Sequence, residues 1–131
     1  MIGVDVARSL RDAGVRWTPQ PGDRFVINAE DLTDQVFWIS ELIVEVQRLQ
    51  NGDVLGFNGT TEWALDSVTI EQSLWLPRED QLRALLGDMF VSLTRDADTW
   101  VVTTVVGTQE QLVRDPDVES AYATALLERL S

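Results

Sequence analysis

The 131-residue sequence contains no cysteine, histidine or lysine, and this absence constrains the fold more than any motif in the chain. Without cysteine there are no disulfides, and without cysteine or histidine a structural zinc site cannot form. Burial of apolar side chains must therefore stabilise the fold. A chain of this length buries roughly two-thirds of its unfolded surface, which is enough for a hydrophobic core. We expect one folded domain spanning residues 1–131.

The same absence excludes the common catalytic arrangements. Histidine is the usual general base near neutral pH, and cysteine and lysine are the usual activated nucleophiles. A Ser-His-Asp triad, a Schiff base and a P-loop lysine are all excluded. The groups left for chemistry are carboxylates, arginines, hydroxyls and the single Tyr122. We therefore predict that the chain is not an enzyme, with no catalytic residues, no metal site and no cofactor.

The charge of the chain favours a protein partner over nucleic acid or membrane. Its 22 acidic residues and 10 arginines give a formal net charge of −12. This field repels phosphate backbones and anionic lipids and attracts basic proteins. The N-terminus lacks the apolar stretch of a signal peptide, and no run approaches the ~20 apolar residues of a membrane span. We expect a cytoplasmic location.

The first half of the chain predicts one helix followed by short strands. Residues 4–13 have helical periodicity, with a face made of Val6, Leu10 and Ala13, and Gly14 is placed to end the helix. β-Branched and aromatic residues predict strands at 24–28, 36–40 and 42–49. Asn51-Gly52 predicts a tight hairpin between the third of these segments and 54–57. Residues 60–74 favour neither a helix nor a strand.

The second half predicts two helices separated by strands. Pro77, Glu79 and Asp80 favour a helix start, and the helix over 78–89 has an apolar stripe formed by Leu82, Leu85, Leu86 and Met89. Strands are expected at 90–94, 100–106 and 111–114, with a turn over 95–98. Asp115 is expected to cap a last helix and Pro116 to occupy its first turn. Its expected buried face is Val118, Ala121, Tyr122, Ala125, Leu126 and Leu130.

This order of elements predicts an α+β fold, a single domain with a mainly antiparallel sheet flanked by about three helices. Strands follow one another instead of alternating with helices, which favours antiparallel pairing. The helix over 78–89 and the strand over 100–106 should cover each other's apolar faces. We therefore expect Leu82, Leu85, Leu86 and Trp100 to be largely buried.

Five tryptophans are many for this length and suggest a contact surface. Tryptophan buries a large area while its N–H keeps a polar contact, and it is enriched at binding hot spots. We expect Trp38 and Trp100 to pack inside because both lie on strands, whereas Trp17 and Trp63 are less explained. The candidate partner-binding surface is the start of the second predicted helix, formed by Trp75, Arg78, Glu79 and Asp80.

The carboxylates of Asp115, Asp117 and Glu119 are the tightest acidic group in the sequence. Oxygen-rich groups of this kind can bind Mg²⁺ or Ca²⁺. These residues also lie where a helix N-terminus favours negative charge, and that role explains them without a metal. We therefore assign no metal ligands.

The segments VFWISELIVEVQ, FNGTTEWALDSV and WLPREDQLRALLG resemble a family of short actinobacterial proteins, some of which carry the name pilus assembly protein. The resemblance extends over nearly the whole chain. The assembly factor of that name resembles a MinD-type ATPase with a lysine-containing P-loop. This chain has neither the lysine nor the loop, so the resemblance implies a family but no ATPase activity and no catalytic residue.

Three functions are compatible with the sequence. The first is a non-enzymatic, acidic module that binds another protein. The second is a small-ligand or metal-dependent enzyme, in which arginines orient an anionic substrate and carboxylates hold a divalent ion. The third is an immunity-like inhibitor whose acidic surface mimics nucleic acid. We favour the first because catalytic groups are missing, the charge is strongly negative and tryptophan is abundant.

Overall fold

Helices and strands occur in separate runs along the chain, as the sequence predicts. The computed structural model describes residues 1–29, 33–39, 44–49, 52–57, 67–69 and 72–130. The helices in these ranges are α1 (Val4–Asp12), α2 (Glu79–Leu86) and α3 (Val118–Leu130). The strands are β1 (Arg24–Ile27), β2 (Phe37–Trp38), β3 (Val44–Leu49), β4 (Gly52–Phe57), β5 (Ser67–Thr69), β6 (Ser73–Trp75), β7 (Phe90–Asp96), β8 (Thr99–Val106) and β9 (Gln109–Asp115).

The strands form antiparallel sheets, and this confirms the predicted α+β class. Within the described ranges, three sheets of three strands have the orders β2-β1-β6, β3-β4-β5 and β7-β8-β9. The chain groups into two compact units. The three-helix unit comprises Met1–Val15 and Pro77–Ser131, and the middle unit comprises Arg16–Leu76. The assignment of residues 1–131 to one domain stays a prediction.

The three-helix unit is built around α3. This helix packs on β8 and β9 and also contacts α1 and α2. Its alanines allow close approach, and Ala121, Ala125 and Leu126 are all buried. From α2, Leu82 and Leu86 are 0% and 2% exposed. Residues spaced by four share one side of a helix, so the predicted leucine stripe supplies this core.

The predicted buried face of α2 is partly wrong. Leu85 is only half-buried, because α2 buries the side that carries Leu82 and Leu86. Trp100 is also half-buried, since it lies near the start of β8, whereas the centre of that strand is buried. In α1, Leu10 of the predicted face is buried together with Ala7, whereas Val6 is half-buried and Ala13 is exposed.

The start of α3 also differs from the prediction. Asp117, not Asp115, caps the helix, because its carboxylate accepts hydrogen bonds from the amide and hydroxyl of Ser120 at 3.0 and 2.7 Å. Asp115 instead accepts a hydrogen bond from the Asp117 amide at 2.8 Å, one step before the helix. At the other end, Leu130 is 44% exposed and does not join the core.

The middle unit contains the β2-β1-β6 and β3-β4-β5 sheets. All four residues of β1 are buried, since β1 is the central strand of its sheet. The predicted hairpin pairs β3 with β4, and its ladder ends at Leu49 and Gly52. Gly52 therefore belongs to a strand, and the connecting residues 50 and 51 lie outside the described residues.

The segment 60–74 is only partly described. It contains β5 and the first two residues of β6, whereas residues 60–66, with Trp63 among them, lie outside the described residues. No helix in the described part of the chain has the length and apolar character needed to cross a membrane.

Candidate functional site

The structure divides the predicted partner-binding surface between the two units. Trp75 ends β6 in the middle unit and is half-buried. Arg78, Glu79 and Asp80 lie at the start of α2 in the three-helix unit. The role of both parts in partner binding stays a prediction.

The polar groups at the start of α2 take part in helix capping. The Arg78 amide donates to the side-chain oxygen of Gln81 at 2.9 Å, and the Glu79 amide donates to Glu119 at 3.1 Å. The Arg78 guanidinium donates to Asp80 at 3.2 Å, with the Asp80 side chain 62% exposed. These contacts satisfy amides that the first helical turn leaves unpaired. Asp80 is thus the most accessible of the three for a partner.

The acidic group at the start of α3 serves the same structural purpose. The ammonium of Met1 lies 3.2 Å from Asp117 and 3.5 Å from Glu119. Burial raises the pKa of Asp117, but hydrogen bonds from Ser120 and the Met1 ammonium outweigh it and lower the pKa overall. In the described ranges, no group of three or more acidic side chains is placed to hold a metal ion.

Tyr122 is too buried to act on a substrate. It is 0% exposed, and its ring lies 5.8 Å from that of Phe90. The hydroxyl has no hydrogen-bond partner among the described residues. Burial raises the pKa of the phenol, and the charge of Glu79 raises it further. The group therefore stays protonated in the core of the three-helix unit.

One face of the β2-β1-β6 sheet carries an aromatic cluster, defined as Trp17, Phe25, Phe37 and Trp75. In the strand register, Phe25 lies opposite both Phe37 and Trp75. Directly opposite residues share one face of a sheet, so the three rings meet there. The ring centroids of Phe25 and Phe37 are 5.5 Å apart. Trp17 stacks on Trp75 with centroids 6.4 Å apart and an angle of 8° between the planes.

A buried carboxylate holds Trp17 in this cluster. Asp23 is 2% exposed and accepts a hydrogen bond from Nε1 of Trp17 at 2.9 Å. The same carboxylate oxygen accepts the Gln20 amide at 3.0 Å, which fixes the loop before β1. Nε1 of Trp75 is buried and has no hydrogen-bond partner in the part of the chain that the structure describes. Phe25 is buried and the other three rings of the aromatic cluster are half-buried, so the cluster belongs to the packing of the middle unit.

The opposite face of this sheet carries an exposed tryptophan on a buried arginine. Arg24 is 9% exposed and pairs in register with Trp38, which is 53% exposed. The guanidinium carbon lies 5.6 Å from the centroid of the Trp38 ring, within the range of a cation–π contact. The Arg24 side chain also donates to the Leu76 carbonyl at 3.3 Å. This Arg24–Trp38 pair therefore presents a supported indole to solvent.

The prediction that Trp38 packs inside is wrong. β2 has only two residues and is an edge strand of its sheet, so no described strand flanks Trp38 on its outer side. The abundance of tryptophan suggested a contact surface, which stays a prediction, and it did not indicate which of the described tryptophans is exposed. Strand composition gave no sign that β2 would be so short.

Comparison of the chain with family models, curated proteins and solved structures found no match.

Proposed function

We propose that this chain is a non-enzymatic, acidic module that binds another protein, and that the Arg24–Trp38 pair is the centre of its contact surface. The observation that carries this proposal is the exposure of Trp38 at 53%, the highest among the large hydrophobic side chains whose burial the structure describes. An indole that is already oriented loses little conformational entropy when a partner covers it. Such residues supply a large share of binding energy at protein interfaces.

The contacts of Arg24 support this role. Its charge is nearly removed from solvent, and its side chain is tied to the Leu76 carbonyl of the same unit. The Leu76 amide in turn donates to the Arg24 carbonyl at 2.9 Å. Because Arg24 is held through both its side chain and its backbone, it gives Trp38 a rigid base, which favours binding without rearrangement.

The expected partner is basic. By sequence, the middle unit carries ten acidic residues against three arginines, one of which is the buried Arg24. Such an imbalance attracts a cationic surface and increases the association rate at low salt. This proposal includes the cytoplasmic location and the actinobacterial family expected from the sequence.

The test uses the whole chain as bait in a cell extract, with wild type, Trp38→Ala and Leu130→Ala in parallel. Leu130 is also an exposed hydrophobic residue but lies in the three-helix unit, so it is the matched control. We expect a basic protein that wild type and Leu130→Ala retain and that Trp38→Ala loses. Removal of a hot-spot side chain weakens binding by about thirtyfold or more.

A further variant tests whether the partner binds at the start of α2, as the sequence predicts, or at the Arg24–Trp38 pair. Asp80→Asn removes the most exposed charge at the start of α2 and leaves the Arg24–Trp38 pair intact. The proposal fails if every captured protein binds the Trp38→Ala variant as strongly as it binds wild type. Loss of the partner with Asp80→Asn alone would move the contact surface to the three-helix unit.

A further inference from the structure

The strand β9 lies at the edge of its sheet, and no described strand pairs with its outer side. Among the described strands, only β8 lies beside it. All seven residues of β9 pair with β8 in continuous register, whereas the opposite edge strand, β7, has a register shift between Phe90 and Ser92. Edge strands are commonly protected by bulges, prolines or charged side chains. β9 has no bulge and no proline, and its exposed charged residues, Glu110 and Arg114, have opposite signs. A regular, exposed edge of this kind can accept another strand.

The turn before β9 determines which backbone groups face outward. The residues Gly107 and Thr108 join β8 to β9, and Gly107 has a φ of +61°. In such a hairpin the two residues that flank the turn, Val106 and Gln109, form a hydrogen-bonded pair. Because the pattern alternates along a strand, the N–H and C=O groups at positions 110, 112 and 114 point away from β8.

The side chains at these three positions are complementary to themselves in the antiparallel direction. They are Glu110, Leu112 and Arg114, and all three are exposed and lie on one face of the sheet. If two copies of β9 are placed antiparallel about a two-fold axis at Leu112, each Glu110 lies opposite the Arg114 of the other copy. Leu112 then lies opposite its own equivalent. Positions 110, 112 and 114 also supply the N–H and C=O groups that point away from β8. One register therefore pairs both the side chains and the backbone groups of the two copies.

We propose that a second copy of this chain binds along β9 in this arrangement and forms a symmetric dimer with a continuous six-stranded sheet. The pairing makes six new backbone hydrogen bonds, two at each of the three residue pairs. It covers Leu112, which is 52% exposed, and adds two cross-strand ion pairs. An isologous two-fold contact of this type closes on itself and does not extend into a fibre.

Two features limit the strength of this contact without preventing it. Arg114 already contacts Asp96 at 2.6 Å, but both side chains are more than half exposed, so that ion pair is weak and can be shared. The net charge of −12 on each copy opposes association, and salt screens this repulsion. The occupant is a second copy because the Glu-x-Leu-x-Arg pattern of β9 is its own complement.

The test is sedimentation of the whole chain with charge-swapped variants. Wild type is expected to show a monomer–dimer equilibrium at concentrations up to about 1 mM, the range of a weak edge contact. Glu110→Arg places two arginine pairs across the interface, and Arg114→Glu places two glutamate pairs there. Each variant alone should raise the dimer Kd by more than about tenfold.

An equimolar mixture of the two variants distinguishes this register from any other. In the mixed dimer, each arginine again faces a glutamate, so association should return to the level of wild type. Circular dichroism of each variant checks that the fold is retained. The proposal is overturned if wild type stays monomeric, if the single variants dimerise like wild type, or if the mixture does not recover dimer. The result is independent of the proposed Arg24–Trp38 surface, which lies in the other unit.

Discussion

The two sheets whose side chains are described differ in how they are built. In the three-helix unit, β7, β8 and β9 have seven or eight residues and are joined by two-residue turns. In the middle unit, β2, β1 and β6 have two to four residues, and β6 comes from a distant part of the sequence. The first sheet is held by adjacent hairpins under a helix. The second requires long-range pairing, and we infer that its aromatic and polar contacts compensate for its short strands.

The buried polar residues show the same contrast. The three-helix unit buries the hydroxyls of Thr103 and Thr104, and Thr104 accepts a hydrogen bond from Arg129 at 3.0 Å. The middle unit buries Ser73 and, in addition, the ionisable side chains of Asp23 and Arg24. A buried ionisable group must be satisfied by specific partners, so it fixes one arrangement of the residues around it. We conclude that the middle unit adds buried ionisable anchors to its apolar core, whereas the described buried polar side chains of the three-helix unit are neutral.

The largest expected effect tests apolar packing in the three-helix unit. Leu86→Ala removes a side chain that is 2% exposed and leaves a cavity beside α3. The free energy of unfolding should fall by about 2–5 kcal/mol, as for other buried leucines. Leu85→Ala is the matched control, since Leu85 is the adjacent, half-buried leucine of the same helix. Urea denaturation followed by circular dichroism measures both, and equal losses would contradict the assigned buried face.

The next effect tests polar anchoring in the middle unit. Asp23→Ala leaves the Trp17 indole N–H and the Gln20 amide without their shared acceptor. A buried donor that loses its acceptor costs about 1–3 kcal/mol, so the free energy of unfolding should fall by that order. Asp23→Asn keeps one oxygen acceptor and should lose less. Tryptophan fluorescence during urea denaturation reports this change directly, and an unaltered emission spectrum for Asp23→Ala would show that the carboxylate does not position Trp17.

The smallest effect concerns the cap of α3 and depends on pH. Asp117→Ala removes the acceptor of the Ser120 amide and should cost about 0.5–2 kcal/mol near neutral pH. Because folding lowers the pKa of Asp117 from its ordinary value of 3.8, its charge stabilises the native state above that value. This contribution is lost as the pH falls through the lowered pKa.

The control for this prediction is Asp117→Asn, which caps a helix well but cannot ionise. Thermal unfolding of the three proteins from pH 7 to pH 2 separates the cap from the charge. The difference between wild type and Asp117→Asn should shrink below about pH 4. A difference that grows with acidification would contradict the direction of the pKa shift.

The sequence predicted those parts of the fold that depend on local patterns. The leucine spacing of α2 placed Leu82 and Leu86 in the core, and the β7–β9 strands followed from alternation and turn residues. The turn at Ala97 has a φ of +54°, which a non-glycine residue rarely adopts and no local signal indicated. The two-residue connection between β7 and β8 accounts for this angle, because tight hairpin turns need a positive φ at a central residue.

The candidate site depends on which strands pair and in which register, and a sequence pattern does not reveal this. Tryptophan abundance led to the prediction of a contact surface, but the exposure of Trp38 follows from the two-residue length of β2 and its edge position. The contact between Arg24 and Trp38 requires the β1–β2 register, and the stacking of Trp17 on Trp75 requires β6. These neighbours are brought together only by the sheet.

The central claim is that the middle unit shields the aromatic cluster on one face of the β2-β1-β6 sheet and presents Trp38 to solvent on the other face. Its most direct test is nuclear magnetic resonance of the chain with isotope-labelled tryptophan rings, recorded with and without a soluble nitroxide. Each ring is assigned by replacing one tryptophan with phenylalanine. The nitroxide should broaden the Trp38 signals far more than those of Trp17 and Trp75, which stack on each other. Equal protection of Trp38 and Trp75 would contradict the account.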